Sequence, residues 1–169
     1  MTDQINPSRS VKSAQLTIRV DADACPAGVR RNIESQARYH HLELIFYTDD
    51  SHELSPEYGV VRQIGQGRDA VDLALVNQLS AGDIVISQDY GLAALALARG
   101  AAALHPGGMV YTEHNIDALL AERHMAARAR KAGERFRRPR PRQSSDDQNF
   151  GNRLRDLIKQ RLSAENPDI

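Results

Sequence analysis

Three short acidic stretches hold the residues best suited to chemistry: Val20-Asp21-Ala22-Asp23-Ala24-Cys25-Pro26, Asp69-Ala70-Val71-Asp72 and Ser87-Gln88-Asp89. One residue separates Asp21 from Asp23, so the two share a side only while the backbone stays extended. Like charges at that spacing repel, and a divalent cation between them relieves the repulsion. Asp69 and Asp72 are three apart, which places both on one face near a helix start. The helix dipole alone also favours carboxylates there. If neighbouring strands deliver Asp21 and Asp89, then Asp21, Asp23, Asp89, Asp72 and Asp69 converge. Such an oxygen-only set suits one or two Mg²⁺ or Mn²⁺ ions, hard cations that keep waters and bridge to substrate phosphates. These ions acidify water and stabilise charge on a leaving oxygen, so the chemistry indicated is phosphodiester hydrolysis. Ser87 and Gln88 either orient a ligand or shape the turn before Asp89.

Plainer roles compete for several of these side chains. Asp23 alone reads as a helix N-cap. Cys25 at a helix start is open to a lowered pKa, although a small structural cysteine is the expectation. Asp83 begins its strand, at the opposite end from Asp89, and reads as a turn residue. His105, His114 and His124 lack ligand spacing and read as surface or internally satisfied rings.

Charge is balanced overall, with 22 Lys and Arg against 22 Asp and Glu, but it is unevenly spread. Arg128, Arg130, Lys131, Arg135, Arg137, Arg138, Arg140 and Arg142 face a single acid, Glu134, in the same stretch. An acidic body with a basic strip fits a polyanion, a nucleic acid, gripped by the strip and processed at the acidic site. The competing reading of the strip is a solvated segment without a partner. With 1 Cys there is no disulfide framework, which fits a reducing compartment. No apolar run reaches membrane-spanning length, and residues 1–19 lack the apolar segment of a secretory signal. The expectation is a soluble, cytoplasmic protein without a membrane partner.

The elements that must position these residues alternate. Strands are expected at Leu16–Val20, Leu42–Tyr47, Val60–Ile64, Ile84–Ser87, Ala101–Leu104 and, as an edge, Met109–Tyr111. Helices are expected at Ala27–Tyr39 with Pro26 at its start, at Asp69–Leu79, and after Asp89 through Arg99. A further helix runs from Glu113 to Ala132 behind Thr112 as N-cap. A last helix, 146–162, starts at the capping-box spacing Ser145-Asp146-Asp147-Gln148 and turns Phe150, Leu154, Leu157 and Leu162 inward. This pattern predicts a single-domain three-layer α/β/α fold with a mostly parallel central sheet, plus C-terminal helices. Residues 1–14 read as a flexible leader, 15–162 as the domain and 163–169 as a frayed tail. Ligands of such sheets bind at the carboxyl ends of the strands, where the winding reverses.

The stretch Val20 to Pro26, then Gly67-Arg68-Asp69-Ala70-Val71-Asp72, then Gly82-Asp83-Ile84-Val85-Ile86-Ser87-Gln88-Asp89-Tyr90-Gly91-Leu92-Ala93 resembles the bacterial YaiI/YqxD family. The resemblance runs from Gln15 to about Leu162 and includes Arg123-His124 and the arginine strip. That family is grouped with the PIN-like metal-dependent ribonucleases, which implies a PIN-like fold, Mg²⁺ or Mn²⁺, and RNA rather than DNA. On the PIN pattern, Asp21, Asp72 and Asp89 carry over as metal ligands, with Asp23 and Asp69 as further ligands. The Asp-x-Asp and the Cys25-Pro26 beside it depart from that pattern. Two other functions compete. One is a haloacid-dehalogenase-like phosphatase with Asp21 as nucleophile; the other is a non-catalytic RNA- or ribosome-binding module that uses the basic strip.

Overall fold

The computed structural model describes residues 15–23, 25–67, 69–135 and 138–166. In chain order the elements are β1 (Thr17–Asp21), α1 (Ala27–Tyr39), β2 (Glu43–Asp49), β3 (Val60–Ile64), α2 (Ala70–Asn77), β4 (Ile84–Ile86), α3 (Tyr90–Ala98), β5 (Ala102–Leu104), β6 (Val110–Tyr111), α4 (Ile116–Lys131) and α5 (Ser144–Glu165). The strands form one sheet in the order β3-β2-β1-β4-β5-β6. All neighbours pair in parallel except β5 and β6, where the short turn after Leu104 returns the chain antiparallel along the edge. Winding goes one way from β1 through β2 to β3, then resumes on the other side of β1 with β4. The switch point therefore lies between β1 and β4, with Val20 opposite Ile86.

Side chains alternate across the sheet and build a core on each face. Ile18, Val20, Leu44, Phe46, Ile84 and Ile86 meet Val29 and Ile33 of α1 and Phe150, Leu154 and Ile158 of α5. On the other face, Ile45, Tyr47, Val85 and Ala103 meet Leu75 and Val76 of α2, Leu92 and Ala96 of α3, and Ile116 of α4. Both faces are covered, which is why the central strands read as continuous apolar runs. Each fully buried Leu, Ile or Val contributes about 1.5–3 kcal/mol.

The α1/α5 contact depends on glycine at two points. A Cβ on Gly28 would collide with the Asp147 carboxylate, and one on Gly151 with the Asn32 amide. Close approach lets the Asn32 amide donate to the Asp147 carbonyl at 3.2 Å and the Gln36 amide to the Gly151 carbonyl at 2.8 Å. The opposite, amino-terminal end of the sheet is held by a buried ion pair. Arg19 Nε donates to Asp83 Oδ2 at 2.7 Å and Arg19 Nη1 to the Tyr47 hydroxyl at 2.7 Å. Asp83 also accepts from the backbone N–H groups of Thr17 and Ser80. It is 1% exposed, so it is far more than the turn residue its position suggests.

The bounds of α1 match the expected Ala27–Tyr39, with Pro26 as its N-cap, while several other boundaries move. Asp69 is the N-cap of α2, in the left-handed region at φ 62°, where Asp is tolerated better than most residues. The Thr112 side chain does not cap α4 directly. Thr112 Oγ1 accepts from Asn115 N–H at 3.2 Å while Asn115 Oδ1 accepts from Thr112 N–H at 2.9 Å, and the helix starts at Ile116, three residues after the expected Glu113. The capping box of α5 is Gln143 with Asp146, not Ser145 with Gln148, so the helix begins at Ser144. It also continues to Glu165, past the expected fraying point, while the expected leader 1–14 and residues 167–169 lie outside the described residues.

Candidate functional site

Parallel pairing of β1 with β4 brings the ends of the two strands together, and Ser87 joins them. Its hydroxyl donates to Asp21 Oδ2 at 3.0 Å and accepts from the Asp89 N–H at 2.9 Å. The Ser87 carbonyl accepts from the Tyr111 hydroxyl at 3.1 Å, which fixes the turn from behind. Asp89 caps α3: its Oδ1 accepts from Gly91 N–H at 2.7 Å and Leu92 N–H at 3.0 Å. The same oxygen accepts from Arg123 Nη1 of α4 at 3.3 Å.

Asp72, on the first turn of α2, completes this group electrostatically. Burial, followed by the negative charges of Asp89, Asp21 and Asp69, pushes its carboxyl up to about 6 despite the opposing Arg123. Asp21 is also raised, first by burial and then by Asp23 and Asp89, while the Ser87 hydroxyl pulls the other way. Burial is the leading cause of both shifts, and the neighbouring carboxylates add to it. Asp69, Asp72, Asp89 and Arg123 line a cavity of about 380 Å³ with apolar Leu73 and Leu95 at its side.

Asp23 turns toward β2 instead. Its Oδ1 accepts from Thr48 Oγ1 at 2.6 Å and lies 3.7 Å from His52 Nδ1. Asp49 holds His52 Nδ1 at 2.9 Å and accepts from the Ser51 N–H at 2.9 Å. Hydrogen bonds from Ser51 and His52 bring the Asp49 carboxyl down to about 2, and Asp49 in turn raises His52. Among the described residues, Asp23, Asp49 and His52 form the group whose ligand atoms all lie within 4.8 Å of one another, close enough to hold a metal ion. The sequence reading passed over Asp49 and His52, because their loop lacks regular ligand spacing. The carboxyl edge thus carries two adjacent acidic groups, one between β1 and β4 and one between β1 and β2.

Arg123 was also missed as a site residue. Its helical spacing from Arg130, seven residues on, was the available signal, since both fall on one face of α4. Arg128, Arg130, Lys131, Arg135 and Arg138 are exposed. Arg140 is committed to Asp146 through two hydrogen bonds, and Arg142 to Asp147 and the Pro106 carbonyl. Arg137 lies outside the described residues. Part of the basic strip therefore anchors the first turn of α5. Gln88 lies at the rim beside Tyr90 and Arg123. Cys25 is buried, and burial pushes its thiol up to about 12, which makes it structural rather than reactive. Asp83 sits at the other end of β4 in its pair with Arg19, away from Asp21.

An open, doubly wound α/β sheet with carboxylates gathered at its switch point defines the class of this protein. Within that class, the chain belongs to the YaiI/YqxD family: the family model described as "Uncharacterized BCR, YaiI/YqxD family" matches residues 19–160. A "UPF0178 protein" of Clostridium tetani is 44% identical over 143 residues, covering 85% of this chain and 97% of the relative. One from Natranaerobius thermophilus is 44% identical over 149 residues, 88% of this chain and 100% of the relative. Another from Clostridium acetobutylicum is 43% identical over 145 residues, 85% of this chain and 97% of the relative. No solved structure gives a significant match. Among the described residues, no helix is long and apolar enough to cross a membrane.

Proposed function

We propose that the protein is a divalent-metal-dependent nuclease of PIN-like type that hydrolyses phosphodiester bonds in RNA in the cytoplasm. The observation that carries this reading is the linkage of Asp21, Ser87 and Asp89 across the switch point, with Asp72 beside them raised to about 6 by burial first and by the charges of Asp89, Asp21 and Asp69 second. The donor chemistry suits a hard cation: carboxylate oxygens, with the Arg123 guanidinium paired to Asp89, although among the described residues the ligand atoms within 4.8 Å of one another are those of the adjacent Asp23, Asp49 and His52. Asp21, Asp72 and Asp89 would hold such an ion, with Asp69 at the cavity rim and Asp23 reaching the edge from its own group with Asp49 and His52. Bound there, Mg²⁺ or Mn²⁺ would supply charge neutralisation for an attacking water and a leaving oxygen.

The chain's own residues do the rest. Ser87 donates to Asp21 and so favours its ionised form, the form in which it can accept or coordinate. The two α3 N–H groups fix the rotamer of Asp89. Arg123 stands at the rim of the acidic cavity, where it can meet a substrate phosphate as its hold on Asp89 loosens. Arg128, Arg130, Lys131, Arg135 and Arg138 would extend the electrostatic grip on the polyanion.

The test is cleavage of a labelled single-stranded RNA in Mn²⁺, with EDTA as control, by wild type, Asp21→Asn and Asp89→Asn. Metal-dependent cleavage reduced at least about a hundredfold in both variants supports the reading, that being the scale of one lost group in an electrostatic site. Cleavage untouched in both variants, or none by wild type, overturns it. The second outcome would leave an RNA-binding module on a nuclease-like fold, a role compatible with an Asp89 already engaged by two backbone N–H groups and Arg123.

A further inference from the structure

A second cavity, of about 370 Å³, opens on the other side of Arg123, lined by Gln88, Tyr90, His105, Glu122, Arg123 and Arg130. Arg123 lines both this cavity and the acidic one, so the two share a wall. Here the chemistry differs. Two flat rings, Tyr90 and His105, stand edge-on to buried Tyr111, with centroids 5.8 Å and 6.2 Å away and interplanar angles of 68° and 67°. Tyr111 is itself locked by its hydrogen bond to the Ser87 carbonyl. The rings are thus held by the same turn that presents Asp89.

His105 Nδ1 accepts from Gly107 N–H at 2.8 Å, which leaves the ring proton on Nε2. Burial, followed by the charge of Arg142, lowers His105 and keeps it neutral near pH 7. Arg123 and Arg130, one face of α4, supply two guanidinium groups. Rigid rings, a neutral N–H donor and paired cations match one ligand chemistry: a planar heterocycle carrying an anionic phosphate. The size, within the range of small-molecule pockets, suits one nucleotide. Bases stacked in a duplex present no free face to such rings, whereas unpaired ones do.

We infer that this cavity is a subsite for one unpaired nucleotide, its base against Tyr90 and His105 and its phosphate at Arg123 and Arg130. The subsite rests on the reading of the neighbouring acidic edge as a phosphodiester-processing site. It adds a preference for single strands and places the adjoining nucleotide on the α4 side of Asp89. Arg123 then positions the phosphate between the two cavities.

The experiment reads binding without turnover. A fluorescein-labelled short oligouridine and a hairpin duplex are titrated by anisotropy in EDTA against wild type, Tyr90→Leu, Tyr90→Phe and Arg130→Gln. Tyr90→Leu is expected to weaken single-strand binding about tenfold, the scale of one base on an aromatic ring, with Tyr90→Phe restoring it. Arg130→Gln, at an exposed position that leaves the fold untouched, should lower the slope of log affinity against log salt by about 0.7. Duplex binding should ignore Tyr90→Leu. Unchanged oligouridine affinity in Tyr90→Leu and Arg130→Gln would overturn the subsite, as would equal losses for duplex and single strand. Metal has no part in this readout, so its outcome is separable from that of the cleavage assay. Binding lost without cleavage in wild type keeps the subsite and removes the nuclease; cleavage with unchanged binding does the reverse.

Discussion

Neutralising Asp72 should stabilise the protein without metal, and the effect should depend on pH in a defined direction. In the native state burial and the charges of Asp89, Asp21 and Asp69 hold the Asp72 carboxyl at about 6, against 3.8 as its ordinary value. The native protein therefore binds this proton more tightly than the unfolded chain does. Ionised Asp72 costs stability above about pH 6, and the cost fades as pH falls from about 6 to 3.8. Asp72 is partly open to solvent, so screening reduces the full value of the shift to about 1 kcal/mol. Asp72→Asn should thus raise the urea midpoint at pH 8 by the equivalent of about 1 kcal/mol and have little effect near pH 4. With saturating Mn²⁺ at pH 8 the ranking should reverse, because wild type gains ligand-linked stability that the variant lacks. Equal destabilisation by Asp72→Asn at both pH values would refute the reasoning, since it would make the carboxylate a favourable structural contact.

Removing Ser87 tests the link between the two strands. Ser87→Ala should raise the Asp21 carboxyl further, seen by carbon NMR titration, and cost about 1–3 kcal/mol by leaving the Asp89 N–H without its acceptor. Asp83→Ala strands a buried Arg19 and should cost about 3–5 kcal/mol in urea unfolding, without altering RNA binding. Cys25, pushed up to about 12, should resist a thiol reagent at pH 8 until the chain is unfolded; rapid native labelling would contradict that. Arg142→Ala should lower thermal stability through the α5 start, while Arg138→Ala should change only the salt dependence of RNA binding.

Much of the fold was legible because both faces of the sheet are covered. Continuous runs such as Ile84-Val85-Ile86 have no other use in a chain of alternating elements, and α1 and β3 start and end where the pattern places them. The gathering of Asp21 and Asp89 followed from one conditional, that β1 and β4 are neighbours, and parallel pairing meets it. What escaped notice depends on long-range contacts. Arg19 and Asp83 are 64 residues apart and become a pair only when β1 lies beside β4. Asp23 parts from Asp21 because the chain bends after β1, placing it beside Thr48 and His52, a partner set that spacing along the chain does not encode. Arg140 and Arg142 are a local exception: Asp146 and Asp147 lie only six and five residues on, at the helix start the sequence shows, but composition does not reveal that the chain turns them back onto the strip.

Anomalous diffraction from crystals grown with Mn²⁺ tests the central claim most directly. The account predicts a manganese peak bounded by the carboxylates of Asp21, Asp72 and Asp89, lost in the Asp89→Asn protein. A peak confined to Asp23, Asp49 and His52, or none at millimolar Mn²⁺, would contradict it.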